Sequence, residues 1–129
     1  MPAMTTFNQS EVPTYCQWEV WQVNWDHEDG TIKDRPVIIL SSTATAQANQ
    51  EIWVAKFTKS RKEIPFRIEF KDSDPSFPET GLSKTCYLYI AEARKIPKSA
   101  FLHRRGKLSV LSAVMAGFIV KQALKFKIP

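Results

Sequence analysis

Glycine is scarce in this chain, with four residues in 129. None of the four builds a glycine-rich phosphate loop or a Gly-x-Ser-x-Gly elbow, so nucleotide cradles and serine-hydrolase chemistry are not expected. Cysteine is scarcer still: Cys16 and Cys86 stand far apart, outside any metal-ligand spacing. That excludes a disulfide framework and a zinc ribbon, and reads as two buried thiols in a reducing cytoplasm. The two histidines, His27 and His103, have no His-Glu-x-x-His motif or other ligand partners around them, so neither a metal site nor a cofactor is expected. No apolar run reaches the length of a membrane span; the longest, Val110 to Val120, is broken by Ser112 and Gly117. No basic stretch followed by an apolar one opens the chain, so no secretory signal is expected.

Charge is present in quantity and unevenly spread. Residues 1–55 hold two basic and seven acidic side chains, residues 56–129 sixteen basic and six acidic, and the chain carries a net charge of +5. A basic second half points to a surface for a polyanion, and the acidic part to a basic partner, unless the two interleave on one solvated surface.

Residues 1–14, small and polar with Pro2 and Pro13, read as a flexible leader, and 15–129 as one domain. The apolar positions Cys16, Trp18 and Val20, then Trp21, Val23 and Trp25, change face midway, which predicts a first strand with a bulge or bend. Pro36-Val37-Ile38-Ile39-Leu40 reads as a buried strand opened by its proline, which sets Arg35 at its mouth. Ala44, Ala46 and Ala48 mark a turn or short helix. Further strands are expected at Ile52–Thr58, Pro65–Phe70, Cys86–Ile90 and Ala93–Ile96. Lys98 to Leu102 reads as a helical turn and Arg104-Arg105-Gly106 as a break. A helix from the Ser109 N-cap to about Lys125 shares the apolar face Leu111, Met115, Phe118 and Ile119. The expected class is mainly β with one C-terminal helix (α+β): a small barrel or curled sheet with that helix packed on it.

Arginine and hydroxyls beside basic loops suffice for one reaction. RNA cleavage without a metal needs a group to take the 2′-hydroxyl proton, a cation for the phosphorane, and a proton for the leaving 5′-oxygen. Arg35 can supply the cation, since its planar fork stays charged and fits phosphate oxygens. Thr58 and Ser60 end a strand and offer hydroxyls, and His27 sits among acids that would favour its protonated form. Lys59, Arg61 and Lys62 would track the RNA backbone, Lys33 approaches it beside Arg35, and Trp25 at a strand end could stack on a base. Each has a plainer reading: Arg35 paired with Asp29 or Asp34, Thr58 as an ordinary strand residue, His27 solvated, and Trp25 in the core.

The segment Trp25-x-x-Glu28-Asp29-Gly30-x-x-Lys33-Asp34-Arg35-Pro36-Val37-Ile38-Ile39-Leu40-Ser41 resembles the signature of the MazF/PemK toxins of type II toxin–antitoxin systems. Glu19 to Val23, Val54 to Ser60, Gly81-Leu82-x-Lys84, Ala93 to Ile96 and Gly106 to Ser109 extend the resemblance over most of residues 16–125. It implies an SH3-like barrel, homodimeric, that cuts single-stranded mRNA to a 2′,3′-cyclic phosphate and a 5′-hydroxyl and is neutralised by a cognate antitoxin. Arg35 then takes the place of the family's catalytic arginine and Thr58 that of its catalytic threonine. Two positions depart from the pattern. Trp18-Glu19 replaces the glycine–acid pair that usually opens the first strand, and Ala91 stands where some members carry an acid. The second departure keeps open a non-catalytic RNA- or protein-binding role, and the barrel alone would also suit a DNA gyrase-directed toxin.

Overall fold

The structure, a computed structural model, describes residues 14–26, 30–58, 67–89 and 93–108. Strands β1 (Glu19–Asp26) and β2 (Ile32–Ile39) pair antiparallel without interruption from Val20↔Ile38 to Asp26↔Ile32. Trp21, Val23 and Trp25 lie with Val37 and Ile39 in one buried cluster, and Val20 lies with Ile38 and Leu40 in another. Both faces of the sheet are therefore covered at its centre. A strand buried on two sides reads as a continuous apolar run, which explains Val37-Ile38-Ile39-Leu40.

The first strand starts later than its apolar pattern suggested. Gln17 and Trp18 form a turn, closed by the Glu19 N–H donating to the Cys16 carbonyl at 3.1 Å. The change of face between Val20 and Trp21 needs no bulge in β1, because each of the two packs into a different cluster. β2 starts earlier than expected, so Arg35 and Pro36 lie inside it rather than at its mouth. Pairing of β2 with its other neighbour begins only at Val37. Pro36 thus sits where that edge of the strand is open and no ladder bond is owed.

Ser42 caps α1 (Thr43–Ala48), its Oγ accepting from the Thr45 N–H at 3.2 Å, and Asn49 Nδ2 closes the other end on the Thr45 carbonyl. β3 (Glu51–Thr58) pairs in turn with β6 (Arg94–Pro97), β2 and β5 (Cys86–Tyr89), and β4 (Arg67–Phe70) flanks β5. A 3-10 turn at Lys98–Ala100 leads into β7 (Phe101–Lys107), which pairs with β1. The sheet runs β4-β5-β3-β2-β1-β7 with β6 set on β3, a mainly β, curled antiparallel architecture.

β7 replaces the break expected at Arg104-Arg105-Gly106. It is an edge strand, mostly exposed, with two register shifts against β1, so no period-two signal survives in its sequence. The C-terminal helix expected from Ser109, and residues 1–13 of the leader expected over 1–14, lie outside the described residues. Among the described residues no helix is long and apolar enough to cross a membrane.

Candidate functional site

A cleft of about 550 Å³ opens where β3 changes partner. β3 is paired with β2 over Val54, Ala55 and Lys56, then with β5 at Phe57 and Thr58. Two residues further along each strand from Val37↔Lys56, Arg35 comes opposite Thr58, and there the strands are no longer bonded as a ladder. Arg35, Pro36 and Asp34 form one wall and Phe57, Thr58 and Cys86 another. Leu82, Ser83, Lys84, Gln22 and Arg105 complete the lining. The Arg35 guanidinium is partly tethered, with Nη1 donating to the Asp34 carbonyl at 3.1 Å.

Arg105 arrives by a different route. Val20 pairs with Gly106 and Trp21 with Arg104, so Arg105 is the extra residue of a β-bulge in β7. A bulge re-aims the side chain it carries. Here Nε and Nη2 donate to the Gly81 carbonyl at 3.1 and 2.7 Å, and Nη1 donates to Gln22 Oε1 at 2.9 Å. Both acceptors are neutral groups, so the charge stays available to the cleft. Among the described lining residues Arg35, Lys84 and Arg105 face a single acid, Asp34. A half-enclosed space of that balance concentrates anions.

The backbone around Arg105 is closely fitted. Gly81 ends the 3-10 turn Phe77–Thr80 with φ 69°, and a Cβ there would fall on the carbonyl oxygen of Arg105. A Cβ on Gly106 would fall on the carbonyl oxygen of Glu79. Glu19, 9% exposed, steadies the same edge. Its Oε1 accepts from the Cys16 N–H at 2.9 Å and from Trp21 Nε1 at 3.0 Å, and its Oε2 meets Arg104 Nε at 2.8 Å.

Of the residues singled out in the sequence, Arg35 and Thr58 come together in the cleft. Lys33 is exposed on β2 but is not among the lining residues. Trp25 departs from expectation: it is 1% exposed, with the Arg94 guanidinium carbon 3.8 Å and Lys56 Nζ 5.4 Å from its ring centre. A ring enclosed in that way has no face for a base to stack on, so Trp25 is a core residue. His27, Lys59, Ser60, Arg61 and Lys62 lie outside the described residues, as does Ala91. Gln22, Ser83, Lys84 and Arg105 line the cleft without having been singled out. Lys84 belongs to the Gly81-Leu82-x-Lys84 stretch of the family resemblance, whereas nothing in the local pattern marks the bulge that carries Arg105.

The family model described as PemK-like, MazF-like toxin of type II toxin–antitoxin system matches residues 16–117. No protein of curated description matches the chain significantly. Among solved structures, a mycobacterial endoribonuclease in complex with its cognate antitoxin superposes with a TM-score of 0.68 at 17% identity, covering 92% of this chain and 100% of that one. The Mycobacterium tuberculosis toxin MazF-mt6 gives 0.65 at 16% identity over 83% and 96%. MazF from Deinococcus radiodurans gives 0.67 at 14% identity over 91% and 100%. At these identities the likeness is one of fold.

Proposed function

The chain belongs to the PemK-like, MazF-like toxins of type II toxin–antitoxin systems, and from that premise we propose that it is a metal-independent endoribonuclease acting on single-stranded mRNA in the cytoplasm. The observation that carries the reading is the meeting of Arg35 and Thr58 in one basic cleft at the divergence of β2 and β3. The scissile phosphate would lie between them. The 2′-oxygen attacks phosphorus while its proton passes to a base, for which His27 is the candidate. The charge that develops on the phosphorane oxygens is met by the Arg35 guanidinium, and the Thr58 hydroxyl orients the same group. Expulsion of the 5′-oxygen, protonated as it leaves, yields a 2′,3′-cyclic phosphate and a 5′-hydroxyl. Lys59, Ser60, Arg61 and Lys62, which follow Thr58 directly in sequence, supply further backbone contacts to the RNA. By the same family argument the active form is a homodimer, held in check by a cognate antitoxin.

The test is cleavage of a varied single-stranded RNA pool in excess chelator, with product ends mapped. Arg35→Ala is expected to lower the rate by about 10²- to 10³-fold, the usual loss for one donor to a developing oxyanion, with unchanged melting. Thr58→Ala should follow in the same direction. A wild-type protein, freed of antitoxin, that leaves the pool intact would overturn the nuclease reading. If it still binds that RNA, the non-catalytic alternative raised by Ala91 takes its place.

A further inference from the structure

Gln22 projects from β1 between Trp21 and Val23, which are buried in the cluster on the other face of the sheet. It lines the cleft, and its Oε1 accepts from Arg105 Nη1 at 2.9 Å. A guanidinium has donors and no acceptor, so the amide must turn its oxygen towards Arg105 and its NH₂ away. Arg105 is not free to release that constraint, being held by two bonds to the Gly81 carbonyl. Among the described residues no acceptor is bonded to Gln22 Nε2. The result is a neutral, half-buried, oriented pair of N–H donors inside a basic cleft.

We propose that Gln22 reads a nucleobase, donating to the carbonyl at position 4 of uracil or position 6 of guanine beside the scissile phosphate. This rests on the cleft being an RNA site. Cytosine and adenine present an amino group at the corresponding place and would set donor against donor. A base edge suits the amide better than a phosphate does. Arg35 and Lys84 line the same cleft with charged donors, which bind phosphate oxygens more strongly than a neutral amide. Arg105 acts here as a positioning residue, since it fixes which end of the amide faces the RNA.

Sequencing of cleavage sites in a randomised RNA pool, paired with binding of short RNAs that differ at one base, tests the assignment. The wild type should favour uracil or guanine at one position near the cut by about tenfold, the scale of one good polar contact to a base edge. Gln22→Leu should flatten that preference. Gln22→Glu keeps an oxygen for Arg105 but turns an acceptor to the cleft, so it should move the preference towards cytosine or adenine. Melting curves establish that both variants are folded. Cleavage by Gln22→Leu with the wild-type base preference would overturn the Gln22 assignment and leave the nuclease reading standing. Base-selective binding that depends on Gln22, without any cleavage, would uphold the assignment and remove the nuclease. Wild-type protein that neither binds nor cuts RNA would overturn both.

Discussion

β1 has two unlike edges. Towards β2 its seven residue pairs follow one another without a break, whereas towards β7 it makes five pairs interrupted by two register shifts. The regular edge is assembled from apolar residues that fill both clusters, and its task is cohesion. The irregular edge contributes little to the core, yet it brings Arg105 and Gln22 into contact in the lining of the cleft. A sheet in strict register can present side chains only at period two. The bulge in β7 breaks that period and lets an arginine be placed by a backbone carbonyl and an amide instead.

That contrast is open to test through the glycines, because the close approaches lie on the irregular side. Gly81→Ala and Gly106→Ala should be the most damaging of the small substitutions. At both positions the added methyl group meets main-chain atoms that cannot yield, and Gly81 also has φ 69°. A loss of about 3 kcal/mol is expected, at the upper end for overpacking, read as a fall in the urea midpoint. Gly30→Ala in the β1–β2 connection is the control. With φ 86° and, among the described residues other than its chain neighbours, nothing within 4 Å of the new carbon, it should cost only the left-handed backbone penalty of about 1 kcal/mol. Equal losses at Gly30 and Gly106 would erase the proposed difference between the edges.

Next in size is Glu19→Ala. Truncation leaves the indole N–H of Trp21, a 7% exposed residue, and the Cys16 N–H without their acceptor. About 2 kcal/mol is expected, the scale of a buried donor left unsatisfied. The ion pair with Arg104 adds little, since that side chain is 48% exposed. Retention of wild-type stability would show that β7 is held without its buried carboxylate.

The same contrast explains what could be read from the residues beforehand. β2 and β3 were legible because β-branched and aromatic runs between turn signals have few alternatives to a buried strand. The Arg35–Thr58 meeting followed from an arginine before a strand proline and a threonine closing the next long strand, once register brought them opposite. β7 was not legible, since Phe101-Leu102-His103-Arg104-Arg105-Gly106-Lys107 alternates with neither a sheet nor a helix period. Its two bulges and its exposure remove the pattern that periodicity detects. Arg105 was invisible for that reason, and Gln22 because its role depends on Arg105. Trp25 misled because an aromatic at a strand end looks alike whether a base or a guanidinium covers it; here Arg94 does.

A smaller effect is expected where β1 begins. Trp18 has φ 71°, a left-handed conformation that a bulky residue rarely adopts, at the position where the family pattern has glycine. Its N–H donates to the Ile39 carbonyl at 2.9 Å and its carbonyl accepts from the Leu108 N–H at 3.0 Å, so β2 and the end of β7 hold it there from both sides. Replacement by glycine or alanine removes the same packing against the first cluster, and the difference between the two variants isolates the backbone. Trp18→Gly should be more stable than Trp18→Ala by about 1 kcal/mol, the reverse of the order expected for a strand residue. The alanine variant proving the more stable would mean that the turn relaxes once the indole is gone.

The smallest effect concerns Tyr15, which packs against Trp21 and Phe101 with ring centres 5.1 Å from each. Burial raises its phenol above the ordinary value of 10.0. An acid whose folded value exceeds its unfolded one stabilises the fold fully below the unfolded value. That contribution is lost as pH rises from about 10 through the folded value, because the unfolded chain releases the proton first. Stability measured between pH 9 and pH 12 should therefore fall more steeply for the wild type than for Tyr15→Phe. The ring contacts persist in the phenylalanine variant, so a difference in slope reports the phenol alone. Identical slopes would mean that the Tyr15 hydroxyl is solvated in the folded protein, and that the aromatic cluster joining β1 to β7 is more open than the edge on β2.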